Sequence, residues 1–268
     1  MSRLFFQSAM PPQPDRIDIA GHRLVLLSAS AYDVAFVATR DTIGFAFDGQ
    51  TGSHAIASDR SEPFRRRPNS VALTPRGCEV RSRSATGGEY LQLSGDGISF
   101  EGEAYRTNLM IAAALPVATE MRRWFLTGKT PDPLLAEAGL ARLTTAVSRP
   151  QSDPKAARWM TPMRFRRITD LVEADLDTEL TVDGLARCVG VSPSFLSRAF
   201  SAFCGQSPYD YIVSRRLQRA RRLISETEAD LADIAVACGF SSQSHMTSLF
   251  RKRFGISPGR LDRPGKSG

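Results

Sequence analysis

Apolar positions change their period along the chain. From Ile17 to about Tyr105 they come in short runs, Leu24–Leu27, Val34–Val37, Ile43–Phe47, Ser70–Leu73 and Tyr90–Leu93. Asp48-Gly49, Pro75-Arg76-Gly77, Gly87-Gly88 and Gly95-Asp96-Gly97 supply turns between them. Short strands at this spacing predict an all-β barrel or jelly roll. From Asn108 to Val147 the period lengthens. Met110, Leu115, Met121, Trp124-Phe125, Leu134-Leu135, Leu140 and Leu143 recur at helical spacing, interrupted at Gly128 and Pro131–Pro133, which predicts two or more helices. Ser148–Pro154 is polar with two prolines and predicts a domain boundary.

Beyond that boundary every element is helical. Thr161-Pro162 has an N-cap followed by proline at the first helical position. Phe165, Ile168, Leu171-Val172 and Leu176 continue it as one amphipathic helix. Thr181 caps a short helix ending at Gly190, Ser192-Pro193 opens one reaching Phe203, and Pro208–Ser225 is a long helix. Asp230–Cys238 and Ser242–Phe254 form a further pair. The predicted domains are a loose arm at 1–15, a β-rich domain at 16–150 with helices at 108–147, a linker at 151–160, a helical domain at 161–262 and a tail at 263–268.

The helical part repeats itself. Leu185-Ala186-Arg187-Cys188-Val189-Gly190-Val191-Ser192, then Phe200, Gly205 and Ser207-Pro208, is answered by Ile234-Ala235-Val236-Ala237-Cys238-Gly239-Phe240-Ser241, then Phe250, Gly255 and Ser257-Pro258. Ala186 and Ala235 lie 49 positions apart, Phe200 and Phe250 lie 50 apart, so the second copy has gained one residue in between. Each copy has the parts of a helix-turn-helix: a small alanine where two helices cross, a glycine four residues on that ends the first helix at positive φ, and a serine that caps the second. The second helix of such a unit enters the major groove. Its buried side has anchors in Phe195-Leu196 with Ala199-Phe200, and in Met246 with Leu249-Phe250. The remaining sides hold hydrogen-bonding residues.

Charge strengthens this reading. The chain has 268 residues and a net charge of +7, and from Lys155 onward there are 18 Lys and Arg against 12 Asp and Glu, whereas residues 1–154 are nearly balanced. The positive balance belongs to the repeated part, as expected if that part meets phosphate. Four scattered cysteines, Cys78, Cys188, Cys204 and Cys238, have no metal-ligand spacing and read as small buried residues in a reducing compartment. The N-terminus shows no signal-peptide pattern, and the longest apolar run, Leu109–Ala118, is about half of what a membrane span needs. A cytoplasmic protein is expected.

The C-terminal hundred residues resemble the DNA-binding domain of the AraC/XylS transcriptional regulators. Gly190–Phe200 resembles the first recognition helix of that family, and Ala235 through Gly239-Phe240, Phe250-Arg251-Lys252 and Gly255–Pro258 resemble its second signature. The resemblance implies two helix-turn-helix units joined by the long Pro208–Ser225 helix, reaching successive major-groove segments. By position, Ser194, Ser197 and Arg198 would face bases in the first segment, and Gln243, Ser244, Thr247 and Ser248 in the second. Arg198 has a fork for guanine and Gln243 an amide for adenine. Arg251, Lys252 and His245 are the phosphate candidates. Ser248 departs from the family, many of whose members carry a longer basic residue there, so the first helix is expected to discriminate and the second to anchor.

The fold class expected is therefore α+β with two domains: an N-terminal cupin-like (jelly-roll) domain with flanking helices and a C-terminal all-α domain. The resemblance implies double-stranded promoter DNA and RNA polymerase as partners, a small-molecule effector sensed by the N-terminal domain, and a homodimer through the helices at 108–147. Arg65, Arg66 and Arg67 are the candidates for an anionic effector, set against a solvated basic turn. The alternative is a cupin-type enzyme with a helical appendage. That would need a cluster of histidine and acidic ligands, whereas this half has only His22 and His54, far apart in sequence. No catalytic residue, metal or cofactor is assigned.

Overall fold

The β-forming runs order themselves by what each side of a strand must cover. A computed structural model describes residues 15–95, 97–99, 104–129, 131–148 and 158–261. The predicted arm (apart from Asp15), the first seven residues of the predicted linker, the tail at 263–268 and the turn residue Asp96 lie outside these. The chain divides into two compact units, Met1–Met110 with Pro131–Leu140, and Ile111–Thr130 with Ala141–Gly268.

Among the described residues the first unit has ten strands: β1 (Asp15–Ile19), β2 (His22–Leu27), β3 (Tyr32–Val37), β4 (Thr42–Ala46), β5 (Gln50–Ile56), β6 (Glu62–Arg66), β7 (Ser70–Thr74), β8 (Glu79–Ser84), β9 (Tyr90–Gly95) and β10 (Arg106–Leu109). They form a six-stranded sheet, β1-β2-β9-β4-β7-β10, and a four-stranded sheet, β3-β8-β5-β6, with antiparallel pairing throughout. Residues directly opposite each other share a side. In the larger sheet, Leu24, Leu93, Ile43 and Leu73 lie in one such row and Leu26, Leu91, Phe45 and Val71 in the next, all of them buried. The neighbouring rows put Gly44, Ala46 and Ala72 on the other side, with Gln92 and Tyr90. One side of this sheet is a heavy aliphatic core and the other is lightly built.

β1, β5, β6, β8 and β10 are strands that apolar runs did not mark. Their sequences, such as Glu-Val-Arg-Ser-Arg-Ser for β8, carry polar residues on both sides. Arg65 and Arg66 correct the basic-turn reading: they end β6 and point to opposite sides of it, Arg65 exposed and Arg66 half-buried. His54 on β5 is also turned inward, stacked on Phe64 at 4.9 Å. Burial holds its pKa below the usual 6.5, and the Arg66 charge adds to this. The unfolded chain therefore takes up a proton first as pH falls, so stability should decline from about pH 6.5 downward. Urea midpoints between pH 7 and 5.5 should fall less in His54→Gln than in the parent protein; equal falls would show that His54 carries none of this dependence.

The predicted helices at 108–147 are α1 (Ala114–Thr127) and α2 (Pro133–Ser148). Leu115, Val117, Ala118 and Met121 of α1 are buried within the chain, so that stripe is not free to dimerise. Leu134 and Leu135 of α2 are 76% and 63% exposed.

Among the described residues the second unit contains α1 and, after α2, the helices α3 (Pro162–Ala174), α4 (Val182–Cys188), α5 (Pro193–Cys204), α6 (Pro208–Glu226), α7 (Leu231–Ala237) and α8 (Gln243–Phe254). Side-chain oxygens of Thr161, Thr181, Ser192, Ser207 and Ser242 accept from the backbone N–H three residues on and start five of them. α6 belongs to two cores at once. Near its start Tyr211 packs edge-on against Phe165 and Phe200, and further along Leu217, Ala220 and Ile224 join Ile234, Met246, Phe250 and Phe254. A straight helix of 19 residues is about 28 Å long, so the two cores share one stiff rod.

Two more ties hold this unit. Arg215 of α6 donates through Nε to Glu173 of α3 at 2.6 Å, with the arginine side chain 11% exposed. Glu173→Ala removes this charged hydrogen bond, and unfolding free energy should fall by about 1.5–3 kcal/mol. Urea denaturation reads this, and a loss below about 0.5 kcal/mol would show the pair to be a surface contact. α1 supplies the second tie. A Cβ on Gly205, after α5, would lie 2.3 Å from the Ala112 carbonyl oxygen, and one on Gly255, after α8, would lie 2.9 Å from the Thr127 methyl. The α1 segment thus crosses behind the ends of both α5 and α8.

Candidate nucleic-acid interface

The two short pairs, α4 with α5 and α7 with α8, are built alike down to single hydrogen bonds. Ala186 and Ala235 are fully buried where the helices cross. The backbone N–H of Val191 donates to the Ala186 carbonyl at 3.1 Å, and that of Phe240 to the Ala235 carbonyl at 2.9 Å. Between each pair sits a glycine at positive φ, Gly190 at 71° and Gly239 at 75°. This closure ends α4 and α7 and turns the chain into the next helix. The residue gained by the second copy lies in the turn. Ser192 caps α5 two residues after Gly190, whereas Ser242 caps α8 three residues after Gly239.

The glycines differ in surroundings. A Cβ on Gly190 would meet nothing within 4 Å, whereas one on Gly239 would lie 2.5 Å from the Leu176 carbonyl oxygen. Arg216 of α6 fastens that loop, donating to the carbonyls of Leu176 at 2.8 Å and Thr178 at 2.6 Å. Sequence reasoning missed Arg216, because only the fold brings a loop carbonyl to it.

On α5, Leu196, Ala199 and Phe200 are buried and Phe195 is covered edge-on by Trp159 at 5.2 Å. The opposite face presents exposed Ser194 and Arg198 with half-buried Ser197 between them. Spacings of three and four residues put these on one stripe. Arg198 makes no ion pair among the described residues, so its guanidinium is available to a ligand.

On α8, Met246, Phe250 and Phe254 face the core. Gln243, Ser244 and Ser248 are exposed, Thr247 is half-buried, and Arg251 continues the stripe seven residues after Ser244. Lys252 is exposed beside it. His245 is exposed yet positioned: its Nδ1 lies 3.0 Å from the Ser241 hydroxyl and its ring meets Phe240 edge-on. Arg253 closes the basic triplet in sequence only. It turns inward, where burial and then the Arg122 charge lower its pKa to about 10. The structure thus brings each set of predicted base-facing residues together on its own helix, and puts Arg251 and Lys252 at the end of the second stripe. Cys78, Cys204 and Cys238 are buried as expected; Cys188, on α4, is exposed and departs from that expectation.

A surface of this kind, two capped helices with polar and cationic stripes held on a common rod, defines a double helix-turn-helix DNA-binding unit. Residues 185–263 match the family model described as a helix-turn-helix domain. The HTH-type transcriptional regulator ArgR of Pseudomonas aeruginosa is 38% identical over 98 residues, 37% of this chain and 30% of that protein. The HTH-type transcriptional activator RhaS of Escherichia coli is 37% identical over 105 residues, 39% of this chain and 37% of that protein. A solved AraC-type transcriptional regulator from Chromobacterium violaceum is 37% identical, covering 36% of this chain and 87% of that one with a TM-score of 0.35. The chain spans about a third of the length of these two curated relatives. Residues 185–263 of this protein form a helix-turn-helix domain similar to those of these regulators.

Proposed function

We propose that the protein is a sequence-specific transcriptional regulator that binds promoter DNA with α5 and α8 and responds to a small molecule through its N-terminal unit. The observation that carries this reading is the exposed Arg198, without an ion pair among the described residues, on a stripe backed by the fully buried Leu196, Ala199 and Phe200. Ser194, Ser197 and Arg198 read bases in one major-groove segment, and Gln243, Ser244, Thr247 and Ser248 in the next. Arg251, Lys252 and His245 contact phosphate, which sets register without choosing sequence. The N-terminal unit is read as a cupin-like jelly roll, a view supported by its two antiparallel sheets with cross-sheet contacts. RNA polymerase is the further partner of a regulator, and the exposed Leu134-Leu135 step on α2 is the surface offered for a homodimer. A cytoplasmic location follows from that role.

Selection of duplexes from a random pool by the full chain tests the reading. A two-part sequence with half-sites about 10 base pairs apart should be enriched. Recovery of the pool without any preferred sequence would overturn it and favour a nonspecific DNA-coating protein.

A further inference from the structure

Arg66 is where the first unit departs from ordinary packing. The pairing of β5 with β6 sets Gln50 opposite Arg66 and Gly52 opposite Phe64, and the pairing of β5 with β8 sets His54 opposite Ser82. These residues share the side of the four-stranded sheet that looks at the other sheet, because the Arg66 guanidinium lies 4.7 Å from the Tyr90 ring centroid on β9. The facing strands offer the small residues Gly44, Ala46 and Ala72 there. Among the described residues Arg66 has one hydrogen bond, from Nη2 to the Tyr105 hydroxyl at 3.2 Å, and no carboxylate pairs with it. Among the described residues its buried Nε–H meets no acceptor, and the buried His54 Nδ1 and Gln50 Oε1 have no partner.

A guanidinium has five N–H donors and keeps its charge, so when it is withdrawn from water a protein normally sets an acid beside it. Here the surroundings are aromatic: Phe64, Tyr90 and Tyr105, with His54 stacked on Phe64 and edge-on to Tyr105. Ring faces offset part of the desolvation but accept none of the remaining N–H groups. The side chains Tyr32, Ser82, His54, Phe64, Arg66 and Tyr105 are half-buried, so the cluster is reachable from solvent. The missing component is an anion, and the rings around the arginine suit a flat or short apolar body attached to it. We propose that this cluster is the binding site for a small organic carboxylate, seated on the free N–H groups of Arg66 with His54 and Tyr105 at its flanks and its apolar part against Phe64 and Tyr90.

This deepens the sensor reading of the N-terminal unit and rests on it. It also makes His54 a reporter. The charged groups acting on it are Arg66, which lowers its pKa after burial, and Glu62 on the same strand, which raises it. The phenols of Tyr32 and Tyr105 flank the same cluster, bonded to the Ser82 hydroxyl and to Arg66. A carboxylate opposite Arg66 cancels part of that positive field, so binding raises the His54 pKa.

The test uses the full chain with sodium benzoate and sodium hexanoate, their neutral amides, and inorganic phosphate. Thermal unfolding and calorimetry should show binding of the carboxylates and not of the amides. Arg66→Gln should weaken binding about tenfold or more, whereas Arg65→Gln, on the exposed side of the same strand, should leave it unchanged. Equal binding of the amides or of phosphate, equal loss in Arg65→Gln, or no binding of either carboxylate would overturn the proposal. If Arg66→Gln does not fold, proton NMR of the three histidines of the parent protein decides: benzoate should raise the His54 pKa, and an unmoved His54 would overturn the site. DNA binding measured on the same preparation separates the two readings, since its loss would sink the regulator and leave carboxylate binding standing.

Discussion

Arg198→Ala should weaken binding to the selected operator about 10- to 100-fold while changing affinity for unrelated duplex only slightly. A bidentate arginine–guanine contact carries about 1–3 kcal/mol of discrimination, and Arg198 is the one long cation in the middle of the α5 stripe. It is exposed and has no ion pair among the described residues, so its loss should cost little in folding. Titration by fluorescence anisotropy on specific and random duplexes separates the outcomes. If both affinities fall alike, Arg198 contacts phosphate, and base reading must come from the serines and Gln243. The α8 stripe, built from short side chains until Arg251, should show the reverse. Arg251→Ala should lower both affinities together and reduce the log–log salt slope by about 0.9.

Gly239→Ala should destabilise the protein by about 3 kcal/mol, and Gly190→Ala by only about 1 kcal/mol, although the two glycines hold equivalent places in the repeat. Both residues have φ above +70°, which costs a non-glycine residue about 1–2 kcal/mol. At Gly190 the new methyl meets open space. At Gly239 it meets the Leu176 carbonyl oxygen at 2.5 Å, held in place by Arg216, so backbone must move and an overpacking cost of about 1–3 kcal/mol is added. Urea denaturation of the two variants checks the difference. Equal losses would mean that the loop at Leu176 yields freely and that Arg216 does not fasten it.

The helical half was legible because its signals are local. Serine and threonine caps, prolines at first helical positions and the alanine–glycine spacings each act within a few residues, and the structure has a helix at every place they marked. The extra residue of the second copy was visible as a change of offset, but only the caps at Ser192 and Ser242 place it in the turn. The β half was read in part, since heavy aliphatic runs reveal strands such as β4 and β9. β5, β6 and β8 turn a polar side inward, so alternation of apolar and polar residues could not mark them. Arg65, Arg66 and Arg67 show the consequence. As a charged triplet they suggest a solvated turn, yet strand period sends Arg66 alone into an aromatic surround. The α1 stripe announced burial without saying against what, and its crossing behind Gly205 and Gly255 is a tertiary fact.

In the proposed function α5 and α8 read one face of one duplex from a single chain, held apart by α6. The most direct measurement is affinity for the selected operator and for the same operator with five base pairs inserted between its half-sites. Five pairs are about half a helical turn, so α5 and α8 would face opposite sides of the DNA. Specific affinity should drop to that of an operator with one half-site destroyed, while nonspecific affinity stays the same. Unchanged affinity after the insertion would contradict it.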